Sequence, residues 1–316
     1  MSPLLLLLLG CTGCASDTTE APATDTGDTG VGLPWVDVSL GSRAACGVRT
    51  DTRVRCWGEG VDTGYSPEPY RVISGAPTTA GFVDVDLESV GDALDYQNAC
   101  ARREDGSVTC WGKGGGRDDE GPYDEIRMVY GGVLARQGNT VHCLSTWEEA
   151  PCVHGAVTYD VAQYSGGGMT ALFVGVDGEL HLEWFDAHGP DPYQFVMELP
   201  AGPWAQVSAP FGYENACGIR SGGDIECFGE EPSDWPGVFD APEGEFVDLC
   251  VDLMVRSACA LDAGGAPTCW GYDHYTPDPG PFVALTCGES SYCGRTADGE
   301  VRCWGDCRGG VCDVPP

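Results

Sequence analysis

Positively charged side chains are scarce in this sequence, which has 16 Lys plus Arg against 49 Asp plus Glu and a formal net charge of −33. A chain this acidic repels phosphate, so the composition argues against binding to nucleic acid or to anionic lipid. The 47 Gly and 22 Pro disfavour long helices, whereas the apolar share of 42% is sufficient for a folded core.

Long apolar stretches and familiar catalytic motifs are missing as well. Beyond its first residues, the chain has no run approaching the roughly 18 apolar residues that a membrane-spanning helix needs. It also has no Gly-x-Ser-x-Gly, His-Glu-x-x-His or Walker sequence. We therefore expect no cofactor and favour binding over catalysis, although the many carboxylate pairs leave sugar hydrolysis open.

The amino terminus has features of an export signal. Residues 4–9 are all leucine, and Leu8-Leu9-Gly10-Cys11 resembles a bacterial lipobox, in which the peptide is cleaved before a cysteine that is then acylated. No Lys or Arg precedes the leucines, so a plain secretory peptide is the alternative. We expect residues 1–10 to be a signal peptide and Cys11 to be the lipid anchor. Thr12 favours sorting to the outer membrane of a bacterial cell envelope.

Residues 11–33 read as a disordered tether. They are rich in Thr, Asp, Gly and Ala and offer almost nothing to bury. The Asp25–Gly30 segment has the composition of a calcium loop, but no fixed turn would make its ligands converge. The folded domain is therefore expected at 34–316.

A hairpin template with a cysteine at each end recurs through this domain. The two cysteines lie ten residues apart, a turn dipeptide of Gly, Asp or Thr lies between them, and Trp-Gly or Phe-Gly follows the second cysteine. Alternation of apolar residues before the second cysteine fits a β-strand. The five complete copies contain Cys46/Cys56, Cys100/Cys110, Cys217/Cys227, Cys259/Cys269 and Cys293/Cys303.

Two further copies are incomplete. In the fourth hairpin the template places Leu172 and Leu182 at the cysteine positions, and loss of both together is expected if the two positions face each other. In the third hairpin it places Val133 opposite Cys143, which leaves this cysteine without its template partner and available to Cys152.

The spacing of the copies predicts the architecture. Seven copies within 34–316 give a period of about 40 residues, and most hairpins are preceded by a strand-like segment that begins with Trp or Phe. This period, with short strands and Gly-rich turns, is typical of a propeller blade, whereas a solenoid would need polar end caps. We predict an all-β fold, a seven-bladed β-propeller closed into a ring with disulfides inside its blades.

The pattern Cys-Ala/Gly…Asp-Gly-x-Val-x-Cys-Trp-Gly resembles the repeats of the regulator of chromosome condensation family, in the cysteine-bearing form of bacterial exported proteins. The resemblance covers about residues 34–305 and implies a seven-bladed propeller. The Gly-Gln-Leu-Gly segment usual after Trp-Gly is absent, and the stretches 59–81, 113–127 and 228–245 are long and irregular. The founding member's nucleotide exchange on chromatin is not carried over, because the charge opposes DNA binding and no matching active residues are visible.

The cysteines are expected to form disulfides. Positions that face each other across a tight hairpin lie close enough to be joined, and closing such a loop contributes about 2–3 kcal/mol in the chain-entropy model. Zinc is the alternative, but the only Cys-x-x-Cys spacing is Cys11–Cys14, inside the signal. The remaining six cysteines of the folded part permit fifteen connectivities. Proximity favours Cys143–Cys152 and Cys307–Cys312, which would leave Cys250–Cys287, and Cys14 then has no partner.

Two clusters contain metal-ligating residue types. His181 and Glu183 would share one face of a strand, with Asp186 and His188 further on; a polar strand edge followed by a loop is the other interpretation. The acidic stretch 118–125 suits calcium in composition but equally suits solvated surface. We expect no metal site at either.

Tryptophans supply the candidate binding residues. Trp57, Trp111, Trp270 and Trp304 share one template position and are expected to pack between blades, as are Trp35 and Trp204 at the starts of strands. Trp147 and Trp235 fall outside the template, in loops, where aromatic side chains often anchor a partner.

These observations favour a monomeric, lipid-anchored propeller that binds a protein or a glycan at the cell surface through its loops. Similar secreted propellers include a β-lactamase inhibitor. The alternatives are a hydrolase or lyase acting on extracellular polymer, a structural envelope component without a discrete ligand, and secretion without an anchor. A pair of carboxylates lining the central channel would favour the enzyme, and an apolar surface patch would favour binding.

Overall fold

Each hairpin of the sequence pairs with the strand that precedes it, and the result is a small antiparallel sheet. The computed structural model describes residues 32–58, 72–88, 98–112, 116–129, 132–145, 157, 159–166, 170–184, 197–209, 215–230, 236–252, 256–272 and 275–316. Within these residues the strands form seven sheets, which we number in chain order. The compact unit that contains them spans Leu33–Pro315.

The strand bounds are as follows. Sheets 1 to 3 comprise β1 (Trp35–Leu40), β2 (Ala44–Arg49) and β3 (Val54–Gly58); β4 (Phe82–Leu87), β5 (Asn98–Arg103), β6 (Val108–Gly112) and β7 (Arg117–Asp119); and β8 (Glu125–Val129), β9 (Gly132–Gln137) and β10 (Thr140–Ser145). Sheets 4 and 5 comprise β11 (Val161–Gly166), β12 (Thr170–Gly175) and β13 (Leu180–Trp184); and β14 (Trp204–Ser208), β15 (Asn215–Arg220) and β16 (Ile225–Gly229). Sheets 6 and 7 comprise β17 (Phe246–Val251), β18 (Ser257–Asp262) and β19 (Pro267–Gly271); and β20 (Ala284–Cys287), β21 (Ser291–Arg295) and β22 (Val301–Gly305).

A 3-10 turn at Arg308–Gly310 follows the last strand. Across the described ranges, no helix has the length and apolar character needed to cross a bilayer.

Disulfides join the second and third strands of the five complete hairpins. Each cysteine faces its partner directly in the register, as Cys46 faces Cys56, with Cα atoms 4.0 Å apart in that pair. These are the pairs that the ten-residue spacing predicts: Cys46–Cys56, Cys100–Cys110, Cys217–Cys227, Cys259–Cys269 and Cys293–Cys303. The structure also joins Cys250 to Cys287 and Cys307 to Cys312.

The third hairpin departs from the template by one residue. Cys143 faces Leu134, so the prediction that it faces Val133 was wrong. The reason is the turn: Gln137 pairs with Thr140 across a two-residue loop, which is one residue shorter than the loop between Arg49 and Arg53 in sheet 1. Cys143 is disulfide-bonded, and Cys152 lies outside the described residues. In the fourth hairpin Leu172 faces Leu182 as predicted.

Apolar side chains are buried between neighbouring sheets. Within the described residues the core divides into seven clusters, and each draws its residues mainly from two sheets that follow one another. One cluster combines Trp35 and Leu40 of sheet 1 with Cys293 and Val301 of sheet 7. The first and last sheets therefore pack against each other as consecutive sheets do.

A backbone hydrogen bond repeats at every junction between sheets. An amide at the start of each sheet's first strand, or two residues before it, donates to the carbonyl of the hairpin turn of the preceding sheet, at 2.7–2.9 Å. The donor and acceptor pairs are Phe82–Thr52, Tyr123–Gly106, Val161–Asn139, Trp204–Gly178, Phe246–Gly223, Phe282–Gly265 and Trp35–Gly299. Five of these turn residues are glycines with φ between 80° and 94°, a backbone conformation that glycine adopts without strain.

The aromatic residue that begins the first strand packs against a small residue on the second strand. A Cβ atom placed on Gly47 would lie 2.6 Å from the ring of Trp35, and one on Gly218 would lie equally close to Trp204. This contact explains why Gly or Ala follows the first cysteine of each complete hairpin. The guanidinium of Arg220 lies 3.8 Å from the centre of the Trp204 ring and covers its other side.

Three of the tryptophans that follow the second cysteine bind segments that lie outside the sheets. Trp111 donates from Nε1 to the carbonyl of Val72 at 2.7 Å, and Trp270 donates to Val238 in the same way. Trp57 of sheet 1 donates to Val311, which follows sheet 7, at 2.8 Å. The long, irregular stretches before sheets 2 and 6 thus each contain a buried residue, Val72 and Val238, that binds an indole of the sheet that follows.

Candidate functional site: the central channel and its rim

The first strands of all seven sheets line one cavity of about 330 Å³, which we call the central channel. Its lining alternates apolar residues with polar ones because successive side chains of a strand point in opposite directions. Asp37, Asp86, Arg127 and Asp248 contribute its charged groups, and Gln163 and Gln206 contribute amides. The chemistry of the channel therefore depends on what these groups already bind.

Most of the polar side chains bind the backbone of the next sheet. Asp37 Oδ2 accepts from the amide of Val85 at 3.0 Å. Gln163 Oε1 and Asp248 Oδ2 accept from the following sheets at 2.9 and 2.8 Å. They occupy the third position of the first-strand motif, as in Trp35-Val36-Asp37. The motif thus supplies side chains that hold the sheets together.

A second set of contacts lies two residues further along the strands. At this position a side-chain hydroxyl accepts a hydrogen bond from a backbone amide of the following sheet. The hydroxyls belong to Ser39, Ser165, Ser208 and Thr286. Thr286 of sheet 7 accepts from the amide of Leu40 in sheet 1, at 3.3 Å. Between sheets 6 and 7 the Cys250–Cys287 disulfide stands in this position. A covalent bond there replaces a side-chain hydrogen bond.

Sheet 3 continues this pattern with charged side chains. Counted from the residue that binds the preceding turn, the accepted amides hold the same places as in sheet 2: Asp84 and Asp86 accept from Ile126 and Met128 at 3.3 and 2.7 Å. Arg127 holds the place that Ser39 has in sheet 1, and it lines the channel.

Three carboxyl groups meet at the junction of sheets 1 to 3. Burial, reinforced by the nearby carboxylate of Asp84, raises the pKa of Asp37 to about 7, and the two groups share a hydrogen bond. Burial also raises the pKa of Asp86, against the opposing charge of Arg127. Burial acts to lower the pKa of Arg127 itself, but the carboxylates of Glu125 and Asp86 outweigh it and raise the pKa, so Arg127 stays a cation.

The rim of the channel exposes apolar side chains. At the end of the sheets that carries the hairpin turns, which we call the turn side, the residue after the buried aromatic points outward. It is Val36 in sheet 1, Val247 in sheet 6 and Val283 in sheet 7, with exposed fractions of 39%, 62% and 52%. We call these three residues the valine rim. Sequence reasoning missed it, although the repeated aromatic-Val pair was a visible signal.

The structure describes only some of the candidates named from sequence. Trp147, Trp235 and the lipidation candidate Cys11 lie outside the described residues. His181 stacks on Tyr159 with ring centres 4.0 Å apart, and the hydroxyl of Tyr159 donates to Glu183 at 3.3 Å. This contact matches the polar-edge interpretation of that strand.

The acidic stretch is partly engaged by its own surroundings. Asp119 accepts from Tyr123, and Glu125 pairs with Arg127 and Arg136 at 2.9 and 2.8 Å. Among the residues that the structure describes, no three His, Cys, Asp or Glu side chains are arranged to hold a metal ion.

Comparisons with known proteins agree with this geometry. The family model "Regulator of chromosome condensation (RCC1) repeat" matches residues 282–306, which contain sheet 7, so the prediction of such a repeat is confirmed for the last hairpin. No curated protein sequence matches the chain significantly.

Solved structures similar to the chain include receptor ectodomains. The CRINKLY WD40 ectodomain of the Arabidopsis thaliana receptor kinase ACR4 superposes with a TM-score of 0.62 and 16% identity, over 88% of this chain and 96% of that one. The ectodomain of the Physcomitrella patens receptor kinase CR4 gives 0.61 and 20%, over 85% and 72%. Human WBSCR16 gives 0.56 and 12%, over 81% and 85%. At these identities the likeness shows the fold alone, a β-propeller.

The Asp37 carboxyl group predicts a pH dependence of stability. Because the pKa of Asp37 is about 7 in the folded chain, against an ordinary 3.8, the native state holds a proton that the unfolded state releases. The free energy of unfolding should therefore fall as pH rises from about 4 to about 7. Asp37→Asn mimics the protonated form, so the fall should be smaller in this variant, and above pH 7 the variant should be the more stable protein.

Urea unfolding at several pH values between 4.5 and 7.5 measures this effect. Asp105→Asn is the matched control, because Asp105 is an exposed carboxylate whose pKa is lowered by hydrogen bonds from Ser107. Its difference from the natural chain should stay constant over the same range. Parallel curves for the natural chain and Asp37→Asn would contradict the prediction.

Proposed function

We propose that this protein is a lipid-anchored propeller scaffold of the bacterial cell envelope that binds a partner protein. One observation carries the proposal: the polar groups of the channel are engaged in bonds between sheets, whereas apolar side chains are left exposed on the turn side. Exposed apolar surface in a cross-linked domain is a feature of sites of protein association. The disulfides are consistent with an oxidising compartment outside the cytosol.

The enzyme alternative has one supporting observation, the pair of Asp37 and Asp84. A general acid and base need carboxyl groups that are free to exchange protons with a substrate. Asp37 accepts the amide of Val85, and Asp84 accepts both the amide of Ile126 and, at 3.4 Å, the side chain of Arg102. We therefore assign the pair to the junction between sheets and prefer binding.

We also propose that the seven sheets close into a ring. The turn-to-strand hydrogen bond from Trp35 to Gly299, the side-chain contact from Leu40 to Thr286 and the indole contact from Trp57 to Val311 all link the end of the chain to sheet 1. Each repeats a contact found at junctions between consecutive sheets. A ring also limits exposed sheet edges, which otherwise invite aggregation.

Hydrogen exchange measured amide by amide tests closure. In a closed ring the amide of Trp35 should exchange as slowly as the equivalent amides of Phe82 and Phe246, because each donates to the preceding turn. Those two junctions are the internal controls. Exchange of Trp35 that is at least about a hundredfold faster than at both controls would mean that the ring opens between sheets 7 and 1.

The anchor is tested by metabolic labelling of the full chain in a bacterial host with an alkyne fatty acid. We expect the natural chain to carry the label and to sediment with membranes. Cys11→Ser should lose both properties, because the acylated group is the thiol and amine of that cysteine. Cys14→Ser is the matched control and should behave as the natural chain does. Loss of the label in Cys14→Ser alone would move the anchor to residue 14.

Affinity capture tests the binding function itself. The full oxidised chain, immobilised and exposed to envelope extract and culture supernatant of its source organism, should retain one partner in stoichiometric amount. The same chain reduced and alkylated should lose it, because the sheets that position the surface depend on their disulfides. Retention of no protein, or equal retention by both forms, would contradict a folded binding scaffold. We expect the captured complex to contain one copy of the chain, since copies of charge −33 repel each other.

A further inference from the structure

The valine rim occupies consecutive sheets. Sheets 6, 7 and 1 contact one another through their first strands, so Val247, Val283 and Val36 follow each other along one arc of the channel mouth. In sheets 4 and 5 the same position holds Ala162 and Ala205, which are exposed but smaller. In sheet 2 the position holds Val83, which is half-buried. The valines that are most exposed at this position therefore lie in the arc from sheet 6 to sheet 1.

Local geometry fixes the direction of these side chains. Phe246 donates its amide to Gly223 and Trp35 donates to Gly299, and the register shifts by one residue directly after each aromatic ring. The aromatic side chain is thereby buried between sheets while the following valine faces solvent. The rim is held by the same bonds that join the sheets, so its shape is preorganised.

Acidic side chains surround this arc. Glu243 and Glu245, both exposed, lie just before the first strand of sheet 6. Asp298 belongs to the exposed turn whose Gly299 carbonyl binds Trp35. Asp248, directly after Val247, faces the channel instead and accepts from Leu285 and Gln206 of the neighbouring sheets.

The arginines near the arc do not balance these charges. Arg302 is paired with Glu300 at 2.6 Å and with Asp278 at 3.2 Å, which neutralises it locally. Arg295 is half-buried at the end of β21, where its carbonyl binds the amide of Val283. Arg49 is buried, lies 4.3 Å from the centre of the Trp35 ring and donates to the carbonyl of Pro315. The exposed charged groups beside the rim valines are therefore mainly acidic.

Charge decides which partner such a surface accepts. A second copy of this chain would bring the same acidic residues against one another, and a membrane surface rich in anionic lipid would be repelled. A protein segment with apolar side chains would cover the valines, and a neighbouring cation would meet the carboxylates that surround them. Complementary charge of this kind speeds association and selects the partner, while apolar contact supplies affinity.

We propose that the valine rim docks a protein segment that presents an apolar side chain beside a Lys or Arg, with the apolar group on Val36, Val247 and Val283 and the cation facing the exposed carboxylates of Glu243, Glu245 and Asp298. This inference rests on the proposed binding function and specifies its face, its residues and the chemistry of the partner.

The probe is a phage library of disulfide-cyclised peptides with seven random positions, selected on the full oxidised chain. We expect the enriched peptides to combine Leu, Ile, Phe or Trp with an adjacent Lys or Arg. The triple variant Val36→Ser, Val247→Ser, Val283→Ser should bind them at least about tenfold more weakly, because it loses the apolar area that the peptide covers. Binding should also weaken as salt rises.

The matched control is Val176→Ser. Val176 is 58% exposed and stands beside the hairpin turn of sheet 4, so it is a similar valine on the turn side but away from the arc. This variant should bind as the natural chain does. All three proteins should unfold at the same urea concentration, since every substituted side chain is exposed.

Each outcome bears on one part of the proposal. Enriched peptides that bind the triple variant normally would overturn the valine rim as the site while leaving a binding scaffold in place. Enriched peptides without cations, or binding unaffected by salt, would overturn the chemistry assigned to the partner. No enrichment, together with stoichiometric capture of a partner from extract, would overturn this inference alone. Failure of both experiments would overturn the proposed function as well.

Discussion

The hydrogen bond from the start of each first strand to the turn of the preceding sheet is the contact on which the rest of this structure depends. A small sheet with apolar faces must bury them against another element, and here each sheet packs against its neighbours. The repeated bond, made by Phe246 to Gly223 and by its equivalents, fixes how far each sheet lies from the next. It also buries the aromatic ring against a glycine or alanine of its own sheet. The channel, the core clusters and the outward valines all follow from that spacing.

Disulfides mainly stabilise individual sheets, and hydrogen bonds mainly join one sheet to the next. Five disulfides act inside hairpins and stabilise each sheet locally, whereas side chains from Ser39, Gln163 and Asp248 tie sheets to one another. Only at the junction of sheets 6 and 7 does a described disulfide, Cys250–Cys287, bridge two sheets. Its two cysteines follow Val247 and Val283 of the valine rim by three and four residues along the strands. The arc with the most exposed of these valines is thus also the one that is reinforced covalently, which suits a surface that must keep its shape when a partner binds.

The channel illustrates how polar groups can be buried for structure. Burying its carboxylates would destabilise the fold if they had no hydrogen-bond partners. Backbone amides from the neighbouring sheets are those partners. Asp37 shares its environment with Asp84 and holds a proton near neutral pH, which relieves the repulsion between them. Arg127, which stands in the first strand of sheet 3 where sheet 1 has Ser39, balances the charge of Asp86. Function is therefore sought on the surfaces around the channel, where apolar and acidic groups lie side by side.

The sequence by itself determined the repeats, the seven hairpins and the intrahairpin cysteine pairs, because facing positions of a strand pair leave a fixed spacing in the chain. It also indicated that aromatic residues such as Trp35 and Trp111 would be buried. Tertiary structure decided the rest. The one-residue shift that sets Cys143 opposite Leu134 depends on a turn length that the template could not supply. The Asp37–Asp84 pair and the valine rim each bring together residues from different sheets. In sheet 1 a bulge after Trp35 leaves Val36 facing solvent and Asp37 in the channel. Such positions depend on how sheets meet, which no spacing within a single hairpin encodes.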